Sequence, residues 1–385
     1  MKIKNICIIT NQYPSNKRMA YTFLEQLVNQ FSDNKINCYV ISPQSLTRNV
    51  IKGYPLNNKE YFRITNKGNK VNVYAPFYLT YSKRLLKLNL YSFNKIVEKS
   101  FSKLNKKIKF DAIYAHFIFP SAITANRIGI KYNIPAFFAY GENTSYTIDY
   151  LGKEKTRKLL EGIKGVISVS NENKKRLVEN EIISNDIIEV FPNGINNKLF
   201  YKKNQKEMRE KLGYSCNDFI IAFVGRFISL KGIDRLCDAL NLINNDHIKV
   251  IFIGTGEVKP NYKHVLYEGT LDQTQITDYL SASDIFVLPT IAEGCCNAII
   301  EALACGLPVI SSKESFNDEI IDESCSIRID TMNVEEIKMA IEKLYIDKSL
   351  REKLSKGALE KAKELNIETR AKKIIDFMEK TIEKE

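Results

Sequence analysis

Short apolar runs alternate with amphipathic stretches along the 385 residues of the chain, and the alternation falls into two blocks. Apolar runs typical of buried strands lie, in the first block, at residues 6–10, 37–42, 112–116, 136–140 and 165–170. The second block has such runs at residues 219–224, 249–254, 285–289 and 308–311. Helical patterns fill the stretches between them, the first near residues 20–30. Alternating strands and helices predict two doubly wound, parallel α/β domains of the Rossmann-like type.

The boundary between the two blocks is predicted just after residue 200. The stretch that follows is polar and charged, and a Pro-Asn-Gly turn signal precedes it at residues 192–194. We therefore expect an N-terminal domain over residues 1–200, a linker over 201–217 and a C-terminal domain over 218–366. Ligands of doubly wound sheets bind beyond the carboxyl ends of the strands, so a cleft that both domains face is the expected site.

Composition excludes several classes of protein. Hydrophobic residues make up 44% of the chain and charged residues 26%, which is typical of a globular protein. The longest purely apolar run has six residues, at 219–224, whereas a membrane span needs about 18 to 20. The apolar stretch at residues 6–9 is too short for a signal peptide, so a cytoplasmic protein is expected. The eight cysteines include no C-x-x-C pair and are expected to be small buried side chains.

The formal net charge of +12 is an average over two unlike parts of the chain. Residues 1–200 carry a net charge of +17, and the remainder carries −5. Most of the excess lies in residues 48–110, where 15 Lys and Arg face only two carboxylates, Glu60 and Glu98. This basic segment predicts an anionic partner for the first domain, such as a membrane surface or an anionic glycan. No nucleic-acid recognition motif accompanies the charge, so nucleic acid is not an expected partner.

The basic segment also contains an apolar stripe at helical spacing. Its members recur at steps of three and four residues: Leu86, Leu90, Phe93, Val97, Phe101, Leu104 and Ile108. Such a helix can lie on an anionic membrane or pack its stripe against the core with a solvated basic face. We favour the core-facing interpretation for the stripe. The cations would attract an anionic membrane in either case.

Two glycine-containing strand exits in the second block carry candidate chemistry. Gly225 ends the apolar run at 219–224, and the cations Arg226 and Lys231 follow it. Glycine allows close backbone approach to a ligand, and the two cations could neutralise a diphosphate. Gly254 and Gly256 follow the next run in the same manner. Since the third glycine of a dinucleotide fingerprint is absent, a nucleotide-binding loop and a plain tight turn are both open there.

The most specific feature is a pair of carboxylates around a predicted helix start. Glu293 precedes Gly294, Cys296 and Asn297, and Glu301 lies about one turn inside the helix. The N–H groups and dipole of the helix start favour a phosphate. Carboxylates on either side of a phosphate would accept hydrogen bonds from hydroxyl groups, a ribose on one side and a sugar on the other.

These motifs, in this order, resemble those of the retaining GT-B glycosyltransferases of family four, the group one glycosyl transferases. The resemblance covers residues 190–312 most clearly and includes the tracts at 224–226, 254–256, 293–301 and 306–309. It implies two Rossmann-like domains facing each other across a cleft. A C-terminal helix is implied to rejoin the first domain, which fits the amphipathic stretch at 367–385.

The resemblance also implies site roles. Arg226 and Lys231 would bind the donor diphosphate, Glu301 the ribose and Glu293 the donor sugar. The donor-binding set would be completed by Gly225, Gly254, Gly256, Gly294, Cys296 and Asn297. His116, at the end of a predicted buried strand, would touch the donor sugar near the reacting carbon. The acceptor-side candidates are Ser15, Lys17, Arg18, Gly141 and Glu142.

The resemblance thus implies a retaining hexosyl- or N-acetylhexosaminyltransferase, and we expect it to be metal-independent. No Asp-x-Asp pair occurs, no metal site or cofactor is expected, and a UDP-sugar is favoured over a GDP-sugar as donor. The expected acceptor is a glycan, lipid-linked, in surface polysaccharide assembly at the inner face of the plasma membrane. Two alternatives remain at this point: a non-catalytic nucleotide-sugar or glycan-binding module, and a different nucleotide-dependent α/β enzyme.

Overall fold

The computed structural model describes residues 2–17, 21–82 and 85–384. The chain forms two compact units, one comprising Met1–Phe191 with Ile367–Glu385 and the other Pro192–Asn366. Among the described residues, no helix combines the length and the apolar character that crossing a bilayer requires.

The first unit contains an eight-stranded sheet with strand order β10-β9-β8-β7-β1-β2-β5-β4. All neighbouring strands in it are parallel except β4 and β5, which form an antiparallel edge pair. The strands are β1 (Asn5–Ile9), β2 (Asn37–Ile41), β4 (Glu60–Ile64), β5 (Lys70–Tyr74), β7 (Ala112–His116), β8 (Ala136–Tyr140), β9 (Ile163–Ser168) and β10 (Ile188–Val190). Two short strands, β3 (Gln44–Ser45) and β6 (Phe77–Tyr78), pair separately.

Helices cover both faces of this sheet, so its central strands are buried on two sides and their sequences are continuous apolar runs. The helices preceding the second unit are α1 (Thr22–Asp33), α2 (Leu46–Lys52), α3 (Leu86–Asn105), α4 (Ile123–Tyr132), α5 (Tyr146–Leu151), α6 (Lys153–Leu160) and α7 (Asn171–Glu179). The stripe of α3 is buried from Phe93 to Leu104. This agrees with the core-facing interpretation of that stripe.

The second unit contains a six-stranded parallel sheet with strand order β13-β12-β11-β14-β15-β16. Its strands are β11 (Phe219–Val224), β12 (Ile248–Ile253), β13 (Val265–Gly269), β14 (Ile285–Leu288), β15 (Val309–Ser312) and β16 (Ser326–Ile329). Its helices are α8 (Gln205–Leu212), α9 (Ile233–Ile243), α10 (Gln273–Ala282), α11 (Asn297–Ala304), α12 (Val334–Ile346) and α13 (Lys348–Glu364). The last helix, α14 (Ile367–Glu383), belongs to the first unit and packs against α1.

The segment 201–217, expected to be a linker, is part of the second unit instead. It contains α8, which Arg209 fastens to the sheet: its guanidinium donates to the carboxylate of Asp284 at 2.7 Å and to the carbonyl of Ala282 at 2.9 Å. The stretch is polar because α8 lies on the surface. Its charged residues therefore resembled those of a linker.

Candidate active site

The candidate donor-site residues of the second unit lie at one edge of its sheet. Strands β12, β11 and β14 are adjacent and parallel, so the segments that follow them emerge side by side. These segments carry Gly254, Arg226 and Glu293, respectively. The structure therefore brings the three sequence features together at the edge where open α/β sheets bind ligands.

Lys231 and Glu293 form an ion pair in this edge cluster. Lys231 closes a short 3-10 turn after β11, and the neighbouring carbonyl of Leu230 accepts from the N–H of Ile291 at 3.0 Å. The two side chains are only 17% and 11% exposed, so each orients the other in a partly desolvated position. The family resemblance implies contacts of Lys231 with the donor diphosphate and of Glu293 with the donor sugar. Their mutual contact was not predicted.

Arg226 differs from Lys231 in being solvent-exposed. Among the described residues its guanidinium has no hydrogen-bond or ion-pair partner. The N–H of Gly225 donates to the carbonyl of Ile253 at 3.0 Å, which fixes the backbone beside it. This edge of the sheet thus carries the ammonium group of Lys231, which is ion-paired, and the guanidinium group of Arg226, which has no partner among the described residues.

Gly254 and Gly256 have a packing role that the sequence did not reveal. A Cβ on Gly254, whose φ is +150°, would lie 1.8 Å from the carbonyl oxygen of Gly225, and a Cβ on Gly256 would lie 2.1 Å from that of Phe227. The Phe227 and Gly256 backbones also form an isolated parallel bridge. The glycines are needed because the segments that follow β11 and β12 run in direct backbone contact. This is a structural reason for glycine, as in the alternative of a plain tight turn. Their contact with a ligand stays a prediction.

The N-terminus of α11 lies in the same cluster. Cys296 is its N-cap residue, and the thiol makes no capping hydrogen bond. Burial raises the pKa of this thiol well above its usual range, so it is not a thiolate nucleophile. The side-chain amide of Asn193 donates to the carboxamide oxygen of Asn297 at 3.0 Å and to the carbonyl of Cys295 at 3.3 Å. In the sequence Asn193 is only part of a turn signal, and this anchoring role was not predicted.

Glu301 lies one turn into α11, and its carboxyl group has no hydrogen-bond or ion-pair partner among the described residues. Desolvation raises its pKa from 4.5 to about 8. The group is therefore mainly protonated at pH 7 in the unliganded protein. Gly294, between the two carboxylates, is buried.

His116 ends β7 in the first unit and is only 4% exposed. Its ring packs against those of Phe117, at 4.3 Å between centroids, and Phe23, at 5.1 Å. Burial, assisted by the positive charge of Arg370, lowers its pKa to about 3. The imidazole is therefore neutral at physiological pH, and Nδ1 lacks a hydrogen-bond partner among the described residues.

Glu142 anchors the chain that follows β7. Its Oε1 accepts from the N–H of Ile118 at 3.0 Å, and its backbone carbonyl accepts from the side chains of Asn173 and Arg176 at 2.8 Å each. Burial raises the pKa of the Glu142 carboxyl group. Gly141 packs against Val169, with 3.1 Å between a constructed Cβ and the nearest methyl carbon. Both residues have a structural role, and acceptor contact stays a prediction.

The other acceptor-side candidates contact their own chain. Ser15 Oγ donates to Asn57 Oδ1 at 2.6 Å, and Lys17 Nζ donates to the carbonyl of Leu56 at 2.7 Å. Arg18 lies outside the described residues. Close by, beyond the ends of β1, β2 and β5, lies a polar cavity that the sequence analysis missed, lined in part by Asn11, Gln12, Gln44, Arg48 and Asn49. The adjacent amide side chains of Asn11 and Gln12, directly after the first apolar run, were the sequence feature that could have indicated this cavity.

Within the described residues, no group of three or more His, Cys, Asp and Glu side chains is placed to hold a metal ion. The cations and helix terminus of the second unit can instead bind an anion. The flanking carboxyl groups of Glu293 and Glu301 can accept hydrogen bonds from hydroxyl groups when they are ionised.

Comparison with known proteins shows similarity to glycosyltransferases. Residues 204–361 match the sequence model of the glycosyl transferases group 1. A proposed teichuronic acid biosynthesis glycosyltransferase of Bacillus subtilis, TuaC, is 29% identical over 315 residues, covering 78% of this chain and 79% of the relative. An Escherichia coli enzyme, UDP-Gal:α-D-GlcNAc-diphosphoundecaprenol α-1,3-galactosyltransferase, is 29% identical over 65% of this chain and 70% of its own.

Solved structures show the same fold over nearly the whole chain. Sucrose-phosphate synthase of Thermosynechococcus elongatus superposes with a TM-score of 0.79 at 17% identity, covering 99% of this chain and 100% of that one. HepE of Anabaena in complex with UDP and glucose gives a TM-score of 0.71 at 14% identity, covering 98% and 99%. The chain therefore has the GT-B fold, and its residues 204–361 match the group 1 glycosyltransferases.

Proposed function

We propose that this protein is a retaining glycosyltransferase that moves a hexosyl or N-acetylhexosaminyl group from a UDP-sugar to a lipid-linked glycan. The pathway would be assembly of a bacterial surface polysaccharide, such as a capsule, exopolysaccharide, O-antigen or teichuronic-like polymer. The observation that carries the proposal is the cluster of Arg226, Lys231, Glu293 and the start of α11 at one sheet edge. Relatives whose names include teichuronic acid biosynthesis and a diphosphoundecaprenol acceptor support the substrate class.

The diphosphate of the donor would meet both cations and the α11 N-terminus. Lys231 is already oriented by Glu293, so it can turn from the carboxylate to a phosphate oxygen over a short distance. Glu293 would then be available to accept hydrogen bonds from hydroxyl groups of the donor sugar. Arg226, uncommitted in the unliganded protein, would neutralise the remaining phosphate charge. The backbone near Gly294, Cys296 and Asn297 would complete the phosphate contacts.

Transfer needs stabilisation of the departing UDP. The bond from the anomeric carbon to the β-phosphate oxygen breaks, the acceptor oxygen bonds to that carbon from the same face, and its proton passes to the departing phosphate. Arg226, Lys231 and the helix dipole would stabilise the developing charge without a metal ion. His116, neutral at physiological pH, would bind the donor sugar without adding charge near the reacting carbon.

The first unit is proposed to bind the acceptor. Its basic segment, residues 48–110, gives it the charge to approach an anionic membrane from the cytoplasm, at about 1 kcal/mol for each cation close to the surface. A lipid-linked glycan would be met at that surface. The protein would then be a peripheral enzyme at the inner face of the plasma membrane.

Transfer by the purified full-length chain, supplied with a panel of UDP- and GDP-sugars and lipid-linked acceptors, tests the proposal. A thermal-shift screen selects the donor first, because a ligand of the folded state raises its stability. We expect Arg226→Ala and Glu293→Gln each to lower turnover by about 100- to 1,000-fold. The matched controls are Lys353→Ala for Arg226→Ala and Glu323→Gln for Glu293→Gln. They remove an exposed cation and an exposed carboxylate elsewhere in the second unit.

Three outcomes would contradict parts of the proposal. Transfer that survives both site variants would overturn the site assignment. Donor binding without any transfer would favour a non-catalytic sugar-nucleotide-binding module. Loss of transfer on addition of a chelator would overturn metal independence.

A further inference from the structure

Large apolar side chains are exposed on two neighbouring segments of the first unit. Val50 and Ile51 of α2 are 74% and 83% exposed, and Tyr54 follows them at 37%. The second segment exposes Leu79, Tyr81, Leu85, Leu88 and Tyr91, each by 46% or more. Single exposed apolar residues are ordinary on protein surfaces, whereas a contiguous group of them marks contact with another surface.

Hydrogen bonds hold the two segments together through Thr80. Its Oγ1 lies 2.6 Å from Ser45 Oγ, at the N-cap of α2, and its carbonyl accepts from Thr47 Oγ1 at 2.6 Å. On the other side, the N–H of Tyr81 donates to Asn89 Oδ1 in α3 at 2.6 Å. The segment at Thr80 and Tyr81 is therefore tied both to the start of α2, which carries Val50 and Ile51, and to α3, which carries Leu88 and Tyr91.

The surroundings of these side chains are basic. The sequence has no carboxylate in residues 48–59 or 79–97. The exposed cations there are Arg48, Lys52, Lys59, Lys87 and Lys95. Lys83 and Arg84 add to the charge in sequence and lie outside the described residues. Exposed apolar side chains that have these cations beside them in sequence are complementary to a surface that is apolar beneath and anionic above.

We propose that residues 46–54, 79–82 and 85–91, which we call the docking tip, insert shallowly into the interface of a bilayer that contains anionic lipids. This inference rests on the proposed function for its purpose, since it would bring the acceptor unit to a membrane-bound substrate. It adds penetration of named side chains to simple electrostatic attraction. The buried stripe of α3 takes no part, because its side chains Phe93, Val97, Phe101 and Leu104 are buried.

A second copy of the chain fits this surface less well than a bilayer does. A symmetric contact through the docking tip would bring Arg48, Lys52 and Lys87 of both copies together, and the docking tip itself contains no carboxylate to offset them. Anionic headgroups remove this like-charge repulsion, and the apolar side chains then reach the acyl boundary.

The absence of tryptophan from the chain permits a direct test. A single Trp is introduced by Ile51→Trp in α2 or Leu88→Trp in α3, and by Ile346→Trp as control, a side chain of the second unit that is 79% exposed. Each full-length variant is mixed with phosphatidylcholine vesicles, with and without phosphatidylglycerol. We expect blue-shifted emission, quenched by brominated acyl chains, for the two docking-tip reporters on anionic vesicles only. The Ile346→Trp reporter should stay unchanged.

A second pair of measurements separates insertion from attraction. We expect the double variant Val50→Ser with Ile51→Ser to bind anionic vesicles about tenfold or more weakly, while retaining wild-type UDP binding. Binding without a blue shift, or binding unaffected by the serine substitutions, would overturn insertion. A blue shift that depends on protein concentration in the absence of vesicles would assign the surface to self-association instead. Transfer in detergent tests the proposed function independently, so either idea can fail alone.

Discussion

The Glu301 carboxyl group is mainly protonated at pH 7, whereas an ordinary glutamate is ionised at that pH. It lies about one turn into α11, and desolvation raises its pKa to about 8. The proposed ribose contact requires an acceptor, which the ionised form provides. Binding of the nucleotide would therefore favour loss of the proton from the Glu301 carboxyl group.

Because the pKa of Glu301 is raised in the folded protein, this group lowers the free energy of unfolding as pH rises. Between about pH 4.5 and 8 the unfolded chain has lost the Glu301 proton and the folded chain retains it, so this group's contribution to the free energy of unfolding falls as pH rises through that window. Glu301→Gln cannot ionise. We expect the variant to gain stability relative to wild type by up to about 1.4 kcal/mol per pH unit within the window.

Urea-induced unfolding of both proteins at several pH values from 5 to 8.5 measures this difference. The comparison isolates the single group, because all other titrating residues are common to the two chains. A difference in unfolding free energy that is constant over this range would contradict the elevated pKa.

At this scale the sequence singles out candidate residues more readily than it predicts their states. Arg226, Lys231 and Glu293 are candidates because their order along the chain resembles that of a known family. The ion pair between Lys231 and Glu293 joins side chains 62 residues apart, and it follows from the adjacency of β11 and β14. Neither this contact nor the desolvation of Glu301 is encoded in local sequence.

At the scale of elements, the segments leaving β11 and β12 are packed so closely that side chains are excluded between them. The constructed Cβ atoms of Gly254 and Gly256 fall 1.8 and 2.1 Å from carbonyl oxygens, far inside van der Waals contact. These contacts are with backbone, which cannot rotate away as a side chain can. The two loops must therefore move apart if either glycine is replaced.

We expect Gly254→Ala and Gly256→Ala each to lower the free energy of unfolding by at least about 3 kcal/mol. Gly213→Ala is the matched control, since Gly213 has φ +73° and no heavy atom within 4 Å of a constructed Cβ. That substitution should cost only about 1 to 2 kcal/mol, the strain of a left-handed alanine. Equal destabilisation by all three, measured by urea unfolding, would show that backbone strain rather than loop contact governs these positions.

The elements that sequence patterns predicted well are those buried on both faces. β7, β8 and β11 have the predicted bounds, because their apolar runs begin and end with the strands. The antiparallel pair β4 and β5 was missed. Its strands lie at the sheet edge, and β4 alternates between exposed and half-buried residues inside the basic segment, so no continuous apolar run marked them.

At the scale of the whole molecule, the first unit is completed by the end of the chain. Helix α14 contributes Ile367, Ala371, Ile374, Ile375 and Met378 to the core on one face of the eight-stranded sheet. The same core contains Leu27 and Phe31 of α1. The N-terminal fold is therefore finished only after the second unit has been synthesised.

A chain ending at Asn366 should accordingly lose the first unit. Each large side chain of α14 that is removed from the core withdraws about 1.5 to 3 kcal/mol, and four of them amount to most of the 5 to 15 kcal/mol that stabilises a typical domain. Hydrogen exchange resolved by peptide should show lost protection in β1 and α1, with β11 and β12 protected as in the full chain. A chain ending at Lys380 keeps all five buried residues and is the control. Retained protection of β1 in the shorter chain would mean that the first unit is stable without α14.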